Sequence, residues 1–279
     1  MNRSIEIERL TPFDYVDFNK VTQSAWPGLA KSSVQDFTAI TDSGVSFGAF
    51  EQDRLIGASY NFVKPTDRFG NFHLYVHMLG VLSEEQGRGV GRRLMKANYD
   101  LVRDAELGES VLEVKLTSDP LDGQNAMFYL HHNGMQASEY KQDAYQGLTA
   151  NQHVGMPADR LLYTARPKSA WILGRSLPSP EDYEELIAKT PVVNLGDYDI
   201  AMIETPFDLS AVSQAGPRGP VFWRGFHRNR FPEAFEEYKY TAVDSTIVPF
   251  KGKDTQFVVL MRGFNENDPE CLVKAVKSV

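Results

Sequence analysis

The chain has a single cysteine, Cys271, in 279 residues. It can form no internal disulfide, which excludes the stapled scaffolds of small extracellular domains. No apolar run approaches membrane-spanning length, and MNRSIEIERL at the start lacks the hydrophobic stretch of a signal peptide. A cytoplasmic location with no membrane partner is therefore expected. Basic residues are in the minority: 29 Lys and Arg against 37 Asp and Glu give a formal net charge of -8. An acidic chain repels phosphate backbones, so nucleic acid is not an expected partner. No metal is expected either, because His, Cys, Asp and Glu never fall at ligand spacing. Low-complexity segments are also missing. What is present is a chain 42% hydrophobic, enough to bury a substantial core as one domain or two closely packed ones.

The most informative stretch runs from Phe72 to Arg93, FHLYVHMLGVLSEEQGRGVGRR. It reads as a buried strand, Phe72 to Leu82, then a tight turn with Gly87, Gly89 and Gly91, then a helix opening near Gly89 and running to Glu106. Amides at a helix N-terminus, flanked by Arg92, Arg93 and Lys96, suit a phosphate or pyrophosphate. The spacing Gln86-x-x-Gly89-x-Gly91 is neither a P-loop nor a dinucleotide fingerprint.

It resembles the pyrophosphate loop of the GNAT acyltransferase superfamily, with Val81 where that family's cofactor strand ends. Asn125 and Ala126, opening a helical stretch closed by Gly134, are similar to the family's asparagine-to-glycine helix. HMLGVL at 77–82, the pairs around Asp119 and Asn125, the run Gly155 to Leu161, and Trp223 and Phe231 resemble a branch of roughly this chain's whole length. The resemblance implies an α/β (α+β) fold with a mixed, mostly antiparallel twisted sheet flanked by helices. It also implies acetyl-CoA or another short acyl-CoA as co-substrate. The backbone of Leu79 and Val81 would pair with the pantetheine arm, and a backbone N–H near Leu79 would face the thioester oxygen. Gln86, Gly87, Arg88, Gly89, Val90, Gly91 and Arg92 would cradle the pyrophosphate, and Asn125 would either cap its helix or meet the pantetheine. One departure stands out: where the family commonly has a tyrosine acid, four residues before the closing glycine, this chain has Leu130.

Taken in order, Ile5 to Leu10 reads as a strand, Thr11 as a cap for a helix to about Ser24, and 45–63 as a hairpin turning at Gln52 and Asp53. Val111 to Leu116 is a strand, Gln124 to His132 a helix, and Ala137 to Tyr145 and Arg160 to Ala165 two more strands. The connection from Gln146 to Asp159 between them is long enough to suggest function, with Tyr145, Asn151 and His153 as candidate lid residues. Residues 1–166 are expected to form the acyl-CoA-binding domain and 167–180 a linker. Residues 181–279 then repeat the order strand, helix, strand, strand as a degenerate β-α-β-β half-unit without a glycine loop, packed on the first domain.

Direct attack of an amine on a thioester needs two substrates held side by side and a base for the amine proton. By period two, His73, Tyr75, His77 and Leu79 share a strand face. His77 is the first candidate base, with an ordinary pKa suited to neutral pH, and Glu113 is the second. Trp26 and Tyr75 are candidate acceptor-pocket walls, and Arg160 and Arg224 candidate carboxylate clamps. The expected reaction is transfer of an acetyl or succinyl group to the amine of a small molecule such as an amino acid. Two alternatives stay open: a CoA-binding protein without transferase activity or a decarboxylase on the same scaffold, and a protein-interaction domain using the aromatic stretch from Trp223 to Tyr240. Monomer and homo-oligomer are both open.

Overall fold

The computed structural model describes residues 4–28, 31–67, 69–145, 158–189, 195–196, 198–207 and 219–279. Asn151 and His153 lie outside the described residues. The architecture is mixed α/β, with a mostly antiparallel open sheet flanked by helices. The described residues fall into two compact units, one reaching Leu116 and one starting at Thr117.

In the first unit, β1 (Glu6–Arg9), β2 (Phe47–Glu51), β3 (Arg54–Pro65) and β4 (Phe72–Val81) pair antiparallel in that order, and β4 pairs parallel with β5 (Val111–Ser118). Thr11 and Asp14 form a capping box ahead of α1 (Tyr15–Ala25), as its Thr-Pro opening suggested. A second helix, α2 (Val34–Thr41), starts at Ser33, whose hydroxyl accepts from the Asp36 amide. The two faces of β3 meet different helices. Tyr60 packs on Phe18 of α1 and Phe37 of α2, with ring centroids 5.0 and 6.1 Å away. Ser59 and Asn61 face the other way and close a buried hydrogen-bonded triangle with Asn98 of α3 (Val90–Arg103).

The second unit carries two copies of one motif. The first is α4 (Gly123–Ala126), widening into a π turn over Met127–His132, then the hairpin β6 (Gln136–Lys141) and β7 (Arg160–Ala165). After α5 (Ala170–Gly174) and α6 (Pro180–Lys189) comes β8 (Ile200–Thr205). The second copy follows: α7 (Pro220–Pro232), again widening into a π turn over Glu233–Glu237, and the hairpin β9 (Tyr240–Phe250) and β10 (Lys253–Arg262). Helix α8 (Cys271–Lys277) closes the chain.

The hairpins match in detail. Each bulges one residue past an alanine, at Ser138 after Ala137 and at Val243 after Ala242. Those two alanines pair with each other across the antiparallel β6–β9 junction. The β-α-β-β order expected from the sequence is thus present. Residues 167–180 include α5, where Trp171 is fully buried and its indole N–H donates to the Gly134 carbonyl at 2.9 Å.

Candidate functional site

The glycine turn lies between β4 and α3. Gly87 and Gly89 take φ of 75° and 79°, left-handed conformations that suit glycine, while Gly91 is already helical. No heavy atom lies within 4 Å of where a Cβ would stand on Gly87 or Gly89, so backbone conformation and not space selects glycine here. The first helical bond of α3 is Arg93 N–H to the Gly89 carbonyl, which leaves the preceding amides for an outside acceptor. The first turn holds Arg92 and no acidic residue. A cation there opposes the helix dipole unless an anion sits between the two.

Arg88 has a different occupation from the one its position suggested. Its guanidinium bridges the buried carboxylates of Glu51, at 2.6 Å, and Glu85, and these hydrogen bonds raise its pKa. Arg54 reaches Glu85 at 3.1 Å and Glu84 at 2.6 Å. The turn is therefore clamped from below by its own charges, and the Gln86 amide donates to the Val81 carbonyl at 3.3 Å.

Alongside the turn, β4 and β5 separate. Their parallel ladder runs from the Phe72–Val111 pair to the Tyr75–Lys115 pair, and beyond Tyr75 the pairings of β4 are to β3. The opening coincides with a bulge: Asn61 faces Val76 and Tyr60 faces Met78, so His77 is the extra residue. This corrects the period-two reading. His73, Tyr75 and His77 do share a face, on the Tyr60 side, but the bulge turns Leu79 opposite Ser59, toward α3.

The face carrying His77 is aromatic and cationic. The His77 ring is 5.3 Å from Phe62, 6.2 Å from Tyr60 and 6.3 Å from Tyr75. Packing among these rings, followed by the charge of Lys64, holds its pKa below the ordinary imidazole value, so the ring is a neutral base at pH 7. Glu113 sits farther back, opposite His73, and pairs with Lys115 at 2.9 Å. Burial and then the charge of Lys115 bring His73 down to about 4. Trp26 follows α1 and lies over β4 at Gly80, where a Cβ would come within 3.1 Å of its ring. Lys64 escapes sequence reasoning, although the alternation Tyr60, Phe62, Lys64 puts it on this face.

The remaining candidates belong to the second unit. Asp122, not Asn125, caps α4, and the Asn125 side-chain amide donates back to Asp122 at 2.9 Å. Leu130 is fully buried, and Tyr129 packs against Tyr163 at 5.2 Å, with burial and then Asp122 raising its pKa. Arg224 donates twice to Asp119, at 3.0 and 2.8 Å, and Arg160 donates to Asp119 and to the Asp159 carbonyl. Arg228, on the next turn of α7, fills both oxygens of Asp159 at 2.8 Å. The guanidinium forks expected to clamp an acceptor thus hold internal carboxylates. Sequence reasoning gave Asp119 and Asp159 no ion-pair role because their partners lie 105 and 69 residues away.

Residues 10–126 match the Acetyltransferase (GNAT) family model. They form a GNAT acetyltransferase domain. The matched segment holds the glycine turn, the β4–β5 opening and His77. No curated protein matches the chain. Among solved structures it is similar to Arabidopsis thaliana Naa50 in complex with a bisubstrate analogue, with 16% identity, 58% of this chain and 98% of that chain covered, and TM-score 0.46. It is also similar to the PaiA N-acetyltransferase of Thermoplasma acidophilum in complex with coenzyme A, with 16% identity, 58% and 99% coverage and TM-score 0.44. A third is a Drosophila melanogaster polyamine N-acetyltransferase, with 14% identity, 58% and 100% coverage and TM-score 0.45. Each is a likeness of fold. Among the described residues no group of three or more His, Cys, Asp or Glu side chains is placed to hold a metal, and no helix is long and apolar enough to cross a membrane.

Proposed function

We propose that this GNAT domain transfers a short acyl group, acetyl or succinyl, from acyl-CoA to the amine of a small molecule. The observation that carries the reading is the turn: left-handed Gly87 and Gly89 with open space where a Cβ would stand, at the N-terminus of α3, beside the opening between β4 and β5. A pyrophosphate suits this place because the first amides of a helix have no intrahelical partner and the helix dipole favours an anion. The backbone of Leu79 and Val81 borders the opening and suits the pantetheine arm, and Arg92 faces the phosphates.

The acyl thioester supplies the electrophile. On the aromatic face, His77 takes the proton of the attacking amine as the C–N bond forms. The C–S bond breaks with its electron pair leaving on sulfur, and the thiolate takes its proton from water. Loss of the tyrosine acid at Leu130 is tolerable for this leaving group, since a thiolate departs unprotonated far more readily than an alkoxide. Trp26 and Tyr75 wall the acceptor. Residues 1–166 act as the catalytic domain and 181–279 as its extension. Because Glu113 is tied to Lys115, His77 is the better base.

Gly89→Val tests the phosphate cradle. A β-branched residue at φ 79° costs about 1–2 kcal/mol in the folded backbone, which the turn relieves by abandoning its amide geometry. CoA affinity measured by calorimetry should fall at least tenfold with secondary structure intact. An unchanged affinity in the folded variant would sink the proposal.

A further inference from the structure

Given the acyl-CoA site proposed above, the acceptor meets the face that carries His77. Lys64 leaves β3 on the His77 side, and its ammonium stands 3.9 Å from the Tyr75 ring centroid and 5.6 Å from that of Phe62. Among the described residues Lys64 makes no ion pair, whereas the face's other lysine, Lys115, is paired with Glu113 at 2.9 Å. His73 titrates at about 4 and adds no charge at neutral pH. Among the described residues, the face around the candidate base therefore presents the Lys64 ammonium without an ion-pair partner, seated on aromatic rings.

Position gives that charge a use. The Tyr75 ring is 6.3 Å from His77, and the Lys64 ammonium lies 3.9 Å above Tyr75. Together these cap the ammonium-to-imidazole separation at roughly 10 Å. Three contacts of about 3 Å each stay within that limit: imidazole to amine, amine to carboxylate within one small molecule, and carboxylate to ammonium. A second ammonium on the acceptor would instead meet the charge of Lys64, and a longer spacer would not fit between the two groups. We infer that the acceptor is a short amino acid, with its amine at His77 and its carboxylate on Lys64, and that Lys64 determines this specificity. The rings of Phe62 and Tyr75 favour an apolar side chain between them.

The test uses the full chain with acetyl-CoA and reads thiol release. Acceptors are free amino acids, the same amino acids as carboxamides, and putrescine as the diamine. At least one free amino acid should exceed its carboxamide by tenfold or more in kcat/KM. Lys64→Gln should bring that ratio close to one, Lys64→Arg should keep most of it, and CoA affinity by calorimetry should stay within twofold in both. Carboxamides or putrescine used as well as free acids by the unaltered protein would overturn the inference, as would a ratio surviving in Lys64→Gln. The two readings fail separately. Absence of CoA binding removes the acyl-CoA site itself, whereas CoA binding with no preference for the carboxylate removes only the role of Lys64.

Discussion

His77→Gln should lower kcat by about a hundredfold or more, the usual range for loss of a positioned proton acceptor, and leave CoA affinity nearly unchanged. Glutamine keeps a polar side chain of similar reach among Tyr60, Phe62 and Tyr75 but cannot take a proton near neutral pH. The pH profile discriminates further. Packing and the Lys64 charge lower the pKa of His77, so the base is charged only in more acidic solution than an ordinary histidine would be. In the unaltered protein the rate should rise as pH increases through that lowered pKa and then level off, with the rising limb below the reference of about 6.5. The limb should vanish in His77→Gln. Other groups facing the ring are Tyr60, which burial raises to about 12, Tyr75 and Lys64. His73, at about 4, lies on the same face, and His73→Gln is the control. Persistence of the limb in His77→Gln together with a near-normal kcat would pass the proton to Glu113 or to solvent.

Arg224→Met should cost about 3–5 kcal/mol of stability, the range for removing one partner of a buried ion pair. Arg224 and Asp119 are both more than nine-tenths buried, and Asp119 receives two hydrogen bonds from this one guanidinium. Without it the carboxylate keeps Arg160, at the longer distance of 3.4 Å. The expected readout is a large fall in melting temperature, or loss of soluble protein. Should the single variant fail to fold, Asp119→Leu with Arg224→Met provides the comparison. Removing both charges should recover much of the loss, because the cost lies in stranding one charge and not in lacking the pair. A stable Arg224→Met, or a double variant no better than the single, would show that this cluster does not hold the unit together.

Features written in local spacing were legible in the sequence. The glycine turn is one, since a left-handed residue before a helix has a compact signature. Strand β7 fell at Arg160 to Ala165 as expected, and the hairpin turn at Gln52 and Asp53 takes the positive φ that its residues suit. Helix α2 was missed although Ser33 and Asp36 mark its start, because it is only eight residues long and its periodic signal is weak. The short α8 was missed in the same way. The bulge at His77 left no trace because alternation reads identically up to it; only the pairing with β3 shows that Leu79 has changed faces. The arginines looked like ligand clamps because a sequence shows cations without their partners. The carboxylates that fill them come from distant parts of the chain.

That distance has a consequence during synthesis. Asp119 and Asp159 emerge from the ribosome with the first copy of the repeated motif, while Arg224 and Arg228 come with the second. Until α7 has been made, Asp119 lacks Arg224 and Asp159 lacks Arg228, and the β6–β9 junction lacks one of its strands. The matched halves of this unit are therefore expected to reach their final packing together and not one after the other in the order of translation. The earlier copy waits, partly open, for a segment about a hundred residues behind it, and at 5–20 residues per second that wait is roughly 5–20 s. A nascent chain stalled in that interval should be the most protease-sensitive and aggregation-prone form this protein takes.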